Sequence, residues 1–337
     1  MLLAAVDAWH STVMADSSDW AFPAELQPRQ DELAFDLDAA LDAMVLLRAD
    51  VPEDAFTAQI LGTERVGNGI VIRDDGLVLT IGYVITEARS VWMTTNRGAV
   101  VAGYPLAYDQ PTGFGLVQPL AALGAPPLAR GTAASCNAGD AVIVAGHGGR
   151  AHALKARLFA KREFAGYWEY VLDEALFTTP AHPQWGGAAL LGSDGRLLGI
   201  GSLLVEEKMG GDTIQGNMAV PIDLLEPILE DMLRQGRAER PPRPWLGMYA
   251  AELGGRLVVA GLASGGPADR AALKIGDVLL EVAGEPVSGM ADLFRKVWGL
   301  GTAGTEVPLT VARRGAAVRV KVRSADRSDF LRKPELH

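Results

Sequence analysis

The sequence predicts a mainly-β protein with a second, smaller α+β unit. Three observations carry that expectation. From about residue 43 to residue 220, short apolar runs alternate with turn signals, the pattern of a sandwich or barrel rather than of helices. A Pro- and Arg-rich stretch without apolar periodicity, GRAERPPRPW (236–245), then interrupts the chain as a linker. Glycine is abundant, at 39 of 337 residues, while aromatics make up 7%, which suits many turns and short strands.

Taken in order, DELAFDLDAALD (31–42) carries apolar residues at helical spacing with acids in its first turn and predicts a short helix. Before it, Trp20 and Phe22 are candidates to dock as an anchor for an otherwise poorly ordered N-terminus. AMVLLRA (43–49) reads as the first strand. GIVIRDDGLVLTIGYVI (69–85) reads as two strands around an Asp75-Gly76 turn. GDAVIVAG (139–146) is another strand, and ALLGSDGRLLGIGSLLV (189–205) is a hairpin turning at Asp194-Gly195. IDLLEPILEDMLRQ (222–235) is predicted to be an amphipathic helix kinked or begun at Pro227. A compact α+β unit follows over about 245–325.

Bulk properties narrow the function classes. The net charge of −10 argues against a nucleic-acid partner, whose phosphates need a basic face. No segment approaches the roughly 20 apolar residues of a membrane span. The first residues, MLLAAVDAWH, lack a basic n-region and an adequate apolar run, so a cytoplasmic location is expected, with either Met1 or Met14 as the start. The single cysteine, Cys136, admits no intrachain disulfide and reads as a small buried apolar residue rather than a reactive thiol. Of the five histidines, His10 and His337 are terminal, His147 and His152 flank a Gly-rich turn, and His182 reads as a partly exposed loop residue beside Pro183-Gln184-Trp185. The i, i+5 spacing of His147 and His152 is not a helical metal pair, and no carboxylate or cysteine completes a set. No metal or cofactor is expected.

Several motifs fall in the order found in one family. They are Gly67-Asn68-Gly69 with IVIRDDGLVLT, YDQPTGFGLV (108–117), AGDAVIVAG (138–146), PQWGGAAL (183–190) and NMAVPIDLL (217–225). With the unit that follows, the chain resembles HtrA-type trypsin-like serine proteases bearing a C-terminal PDZ domain. That resemblance implies a trypsin-like double six-stranded β-barrel followed by an α+β PDZ domain. It implies this partition: an N-terminal extension with a short helix (1–42), the protease-like domain (43–235), a linker (236–244), the PDZ domain (245–325) and a tail (326–337). It also implies a homo-oligomer, a trimer in the family, and allows a periplasmic location.

The resemblance puts Tyr83 at the family's general-base histidine, Gly113 at its aspartate and Trp185 at its nucleophilic serine. Serine-protease chemistry needs a nucleophile, a base and a residue that orients the base. A phenol with a pKa near ~10 is a poor base at neutral pH, glycine orients nothing, and indole offers no nucleophile. Pro183 stands where the family has the glycine whose N–H completes the oxyanion hole, and proline has no N–H. The expected function is therefore a non-catalytic peptide- or protein-binding scaffold, adaptor or chaperone. The alternative is an active serine endopeptidase with an unrecognised nucleophile. Tyr83 and Trp185 could either plug the former cleft as packing or line an aromatic pocket.

In the PDZ-like unit, Trp245-Leu246-Gly247-Met248 matches the family's carboxylate-binding loop, in which successive backbone N–H groups bind a peptide C-terminus. SGGPADRAALKIGDVLLEVAGEPV (264–287) matches the domain core, and MADLFRKVW (290–298) would be the helix walling the groove. Leu293, Phe294 and Val297 are candidates for the side-chain pocket, with Leu293 and Val297 preferred. The partners implied are polypeptide segments or protein C-termini.

Overall fold

The computed structural model describes residues 20–209 and 211–333, so His10, His337, the two candidate starts and residues 1–19 of the expected N-terminal extension lie outside the described residues. The chain divides into two compact units. The first comprises Met1–Arg162, Glu174–Ala238 and Arg332–His337, and the second Glu163–Asp173 with Glu239–Leu331.

The first unit holds two closed six-stranded barrels. The first is built from β1 (Met44–Asp50), β2 (Glu64–Val71), β3 (Val78–Ile81), β4 (Ser90–Thr95), β5 (Val100–Tyr108) and β6 (Phe114–Pro119), in the order β1-β2-β3-β6-β5-β4. The second is built from β7 (Ala141–Ala145), β8 (Ala153–Gly166), β9 (Tyr170–Thr179), β10 (Ala189–Leu191), β11 (Leu197–Met209) and β12 (Asp212–Pro221), in the order β10-β11-β12-β9-β8-β7. Closure removes the unpaired edges that an open sheet would expose. The first barrel is filled by Val45, Leu47, Val78, Met93 and Val117, all fully buried, which crowd around the missing side chains of Gly69 and Gly103. The second is filled by Leu158, Leu176, Leu190 and Ala219, and Cys136 lies in that cluster, so its reading as a small buried apolar residue holds.

The two predicted turns form where expected. Gly76 and Gly195 both adopt positive φ, and the Asp75 carboxylate accepts the Leu77 N–H at 3.2 Å. Three element boundaries differ from the sequence reading. Only Leu37–Leu41 of the expected 31–42 helix is α-helical, because the Asp36 side chain caps it by accepting the Ala39 N–H. A separate 3-10 turn, Gln30–Glu32, occupies the earlier acids. The strand expected to run to residue 85 stops at Ile81 and passes into a 3-10 turn, Gly82–Val84. The expected 222–235 helix is two pieces, a 3-10 turn Ile222–Leu224 and an α-helix Leu229–Gln235, since Pro227 lacks the N–H that would join them.

The second unit is a sheet of β13 (Met248–Leu253), β14 (Arg256–Leu262), β15 (Val278–Val282), β17 (Glu306–Arg313) and β18 (Ala316–Arg323), in the order β13-β14-β15-β17-β18, with β16 (Glu285–Pro286) paired to β15. The helix Met290–Gly299 buries Leu293, Phe294 and Val297 in a core shared with Leu246, Met248, Val259, Leu309 and Val322. Asp277 ties down the β14–β15 connection by accepting the Lys274 N–H at 2.8 Å and a two-pronged Arg313 bond at 2.6 and 2.7 Å. Two segments fall outside the sequence partition. The 3-10 turn Arg327–Phe330 belongs to this unit, where Phe330 packs 4.8 Å from the Trp245 ring. The tip of the β8–β9 hairpin, Glu163–Asp173, belongs to it as well.

Phe114→Ala is expected to destabilise the first unit by about 3–5 kcal/mol, because removing a fully buried aromatic leaves a cavity that its packed neighbours only partly collapse to fill. Urea unfolding followed by tryptophan fluorescence measures this, and a shift under ~1 kcal/mol would contradict a core role for Phe114.

Candidate functional site

The first unit gathers the three positions singled out in the sequence. Tyr83 sits in the 3-10 turn at the end of β3. Its neighbour Gly82 donates its N–H to the Gly113 carbonyl at 2.7 Å. A side chain at Gly82 would lie 2.1 Å from the Tyr108 ring, so glycine is required for this approach. Gly113 adopts φ +83° and donates to the Asp109 carbonyl at 2.7 Å, while the Asp109 carboxylate receives the Thr112 N–H and hydroxyl at 3.1 and 2.7 Å. Asp109 thus builds the turn that carries position 113.

Tyr83 reaches the loop that carries Trp185, its hydroxyl 2.9 Å from where a Gly186 side chain would begin. The Tyr83 hydroxyl donates to the Ser202 carbonyl at 2.9 Å. Burial pushes the phenol above its ordinary pKa. A phenol so held stays protonated through the neutral range and is committed to a carbonyl.

The loop bearing Trp185 is held by Asn68, which the sequence reading treated only as part of a landmark. Asn68 donates its backbone N–H to the Gly186 carbonyl at 2.7 Å and its side-chain NH₂ to the Gln184 carbonyl at 2.8 Å. Its side-chain oxygen accepts the His147 N–H at 2.8 Å. Gly187, at φ +76°, lets the loop pass the Asn68 carbonyl, where a Cβ would come within 1.9 Å. Pro183 lies exposed at the start of this loop.

His182 is not the exposed loop residue expected from sequence; it is fully buried. Its backbone N–H donates to the Asn217 side chain at 2.6 Å. Its Nδ1 accepts the Gln184 N–H at 3.1 Å, which assigns the proton to Nε2, 2.9 Å from the His152 carbonyl. Trp20 stacks on His152 with ring centroids 4.3 Å apart, and Phe22 meets His182 edge-on at 5.1 Å. The expected Trp20–Phe22 anchor therefore forms, and it seals this histidine from water. Burial drives the His182 imidazole down to about 4. Beneath Tyr83, the buried Arg65 guanidinium donates to the Tyr83 and Thr86 carbonyls at 2.8 and 2.9 Å and to the Thr57 hydroxyl at 2.8 Å. Arg65 carries no signal in the sequence, because an arginine reads as a surface residue until its acceptors are known.

The second unit holds the other candidate site. Gly247 adopts φ +70°, which lets three successive backbone N–H groups converge. Those of Leu246, Gly247 and Met248 all point at one carboxylate, that of Glu169 in the hairpin tip. Burial pushes Glu169 up to about 7 against the pull of these three donors. Trp245 contributes no donor, since its N–H is bonded to the Ala325 carbonyl at 3.0 Å. It supports the loop instead, with its ring 3.0 Å from where a Gly247 side chain would begin. Leu293 and Val297 are both buried beside the loop, and Phe294 shares that core. Glu169 was invisible in the sequence as a partner, being 77 residues from Leu246.

Residues 67–200 match the trypsin-like peptidase domain family and residues 244–323 the PDZ domain family. A probable periplasmic serine endoprotease DegP-like from Halomonas elongata is 25% identical over 277 residues, covering 78% of this chain and 57% of that protein. The serine protease Do-like HtrA of Bacillus subtilis is 26% identical over 159 residues, covering 42% of this chain and 34% of its own length. The chain spans little more than half the length of the DegP-like relatives. Among solved structures, the HtrA-type protease AlgW with tripeptide aligns at TM-score 0.51 and 20% identity, covering 89% of this chain and 99% of that one. The serine endoprotease from Yersinia pestis aligns at TM-score 0.51 and 20% identity, covering 88% and 99%. These similarities establish the fold. Among the described residues, no helix is long and apolar enough to cross a membrane.

The buried histidine has a consequence in acid. His182 is neutral in the folded protein down to about pH 4, whereas the unfolded chain binds the proton from about 6.5. Its contribution to stability is complete above about pH 6.5 and is lost as the pH falls toward 4. The unfolding free energy of the first unit, from denaturant titrations, is expected to drop by about 2 kcal/mol between pH 7 and pH 5. In His182→Gln this part of the slope should vanish, and an unchanged slope would contradict the assignment.

Proposed function

Because the chain belongs to the HtrA family, with a trypsin-like peptidase domain followed by a PDZ domain, we propose that it is a non-catalytic member that binds polypeptide segments or protein C-termini as a scaffold, adaptor or chaperone. The observation that carries this reading is the commitment of the Tyr83 hydroxyl to the Ser202 carbonyl. The residues aligned with the family's base and nucleophile are a phenol so committed and an indole. Neither can generate a nucleophile, and Gly113, beside them, brings no carboxylate. His182, the nearest histidine in sequence, has both ring nitrogens engaged and stays neutral, so it is not a substitute base.

Pro183 extends the argument from side chains to backbone. The family's oxyanion hole uses two N–H donors, and a proline at one of them leaves one. The binding reading draws on the other unit, where Leu246, Gly247 and Met248 aim three N–H groups at a single carboxylate. That is the recognition mode expected for a chain terminus. Nucleic acid is not a proposed partner, given the net charge of −10. A homo-oligomer, a trimer by family resemblance, and a periplasmic location are part of the proposal. The names of the DegP-like relatives favour the periplasm over the cytoplasm expected from the first residues.

The competing reading is an active serine endopeptidase, as the names of the relatives suggest. A fluorophosphonate probe separates the two: no serine should be labelled, and covalent labelling of any serine would favour the enzyme. Reversion supplies a second test. The triple variant Tyr83→His, Gly113→Asp, Trp185→Ser should remain a poor protease on casein. Adding Pro183→Gly should raise turnover by about 10²- to 10³-fold, the usual worth of one oxyanion donor. Robust cleavage by the triple variant alone would refute the role given to Pro183.

A further inference from the structure

Glu169 is buried at 3% exposure, in a hairpin turn, with φ +61°. Both features are costly. Burying a carboxylate forfeits its hydration, and a non-glycine residue in the left-handed region is strained by about 1 kcal/mol or more. A glutamate whose only task was to close the β8–β9 turn would be exposed, and a glycine would close the turn better. What offsets both costs is the loop of the second unit. One Glu169 oxygen lies 2.7 Å from the Gly247 N–H and 3.3 Å from that of Met248, and the Leu246 N–H reaches both oxygens at 3.1 Å.

The neighbouring residues of the tip continue the same pattern. The Tyr167 carbonyl accepts the Ala250 N–H at 3.3 Å, so the tip pairs with the backbone of β13, the strand that an incoming peptide would extend. The Tyr167 and Tyr249 rings meet edge-on at 6.0 Å. Val171 is buried in the core cluster that contains Leu246, Met248, Leu293, Phe294 and Val297. Both ends of the tip are held to the groove helix, where Arg295 bridges Glu163 and Asp173, each at 2.5 Å.

We propose that the tip of the β8–β9 hairpin is an internal ligand of the peptide groove. Glu169 presents its side-chain carboxylate where a partner's C-terminal carboxylate would bind, Val171 fills the apolar pocket, and an outside peptide enters only when the tip is released. This rests on the peptide-binding reading above and adds two things to it: a gate, and a ligand class. The groove that accepts Glu169 and Val171 suits a polypeptide with a free C-terminal carboxylate and a small, β-branched apolar last residue. A tethered competitor acts at an effective concentration on the order of millimolar. The apparent dissociation constant for an outside peptide rises as the open fraction falls, about a hundredfold for a tip that is closed 99% of the time.

The test uses the full chain and two readouts. Amide hydrogen exchange at residues 246–248 reports whether the tip is docked. Fluorescence anisotropy reports binding of a labelled decapeptide pool, randomised upstream of a free C-terminal Val, with its C-terminal amide as control. The variants are Glu169→Gly, which suits the left-handed turn, and Glu169→Gln, which keeps the shape without the charge. In both, exchange at 246–248 should rise and the free-acid pool should bind about tenfold tighter or more than to the unaltered chain, with no gain for the amide. Exchange and affinity identical in the unaltered chain and both variants would overturn the internal ligand while leaving peptide binding intact. Faster exchange in the variants without any binding of the free-acid pool would instead sink the peptide-binding reading, and with it the gate, leaving the docked tip as a fixed structural brace.

Discussion

A polar group withdrawn from water must find its partner inside the chain, and this constraint organises both regions of the protein. Arg65, Asn68, His182 and Glu169 are each nearly or fully buried, and each is met by hydrogen-bonding groups of other segments. Arg65 collects the carbonyls of the turn that carries Tyr83. Asn68 collects the carbonyls of the loop that carries Trp185. Removing either would take donors from those carbonyls, so the placement of Tyr83 and Trp185 depends on Arg65 and Asn68.

The same constraint shapes the framework around positions 83, 113 and 185. Gly82, Gly187 and Gly201 are needed because backbone or ring atoms lie within 2.2 Å of where a Cβ would stand. The Asp109–Thr112 turn still presents position 113, although glycine occupies it. The geometry around positions 83, 113 and 185 is thus held by hydrogen bonds and close packing.

In the second unit the constraint works through backbone donors. Three converging N–H groups attract an anion, and the chain supplies one from its own hairpin. Their attraction is opposed by the burial of Glu169, which raises its pKa to about 7. The Asp277–Arg313 pair differs, since its carboxylate is met by a two-pronged guanidinium rather than by backbone N–H groups alone.

The sequence by itself determined the β-rich architecture, the two hairpin turns at Asp75-Gly76 and Asp194-Gly195, and the motifs that match a trypsin-like peptidase domain and a PDZ domain. These depend on local spacing and on side-chain chemistry, which a linear reading contains. Helix ends were less legible: the 31–42 pattern is helical in periodicity, but the Asp36 cap and a separate 3-10 turn decide where the helix begins. Only the tertiary structure decided that His182 is sealed beneath Trp20 and Phe22, and that Trp245 braces the loop while donating its N–H to Ala325. It alone brought Glu169 to Leu246, because contacts between residues 77 positions apart are set by how barrel and sheet close, not by any local pattern.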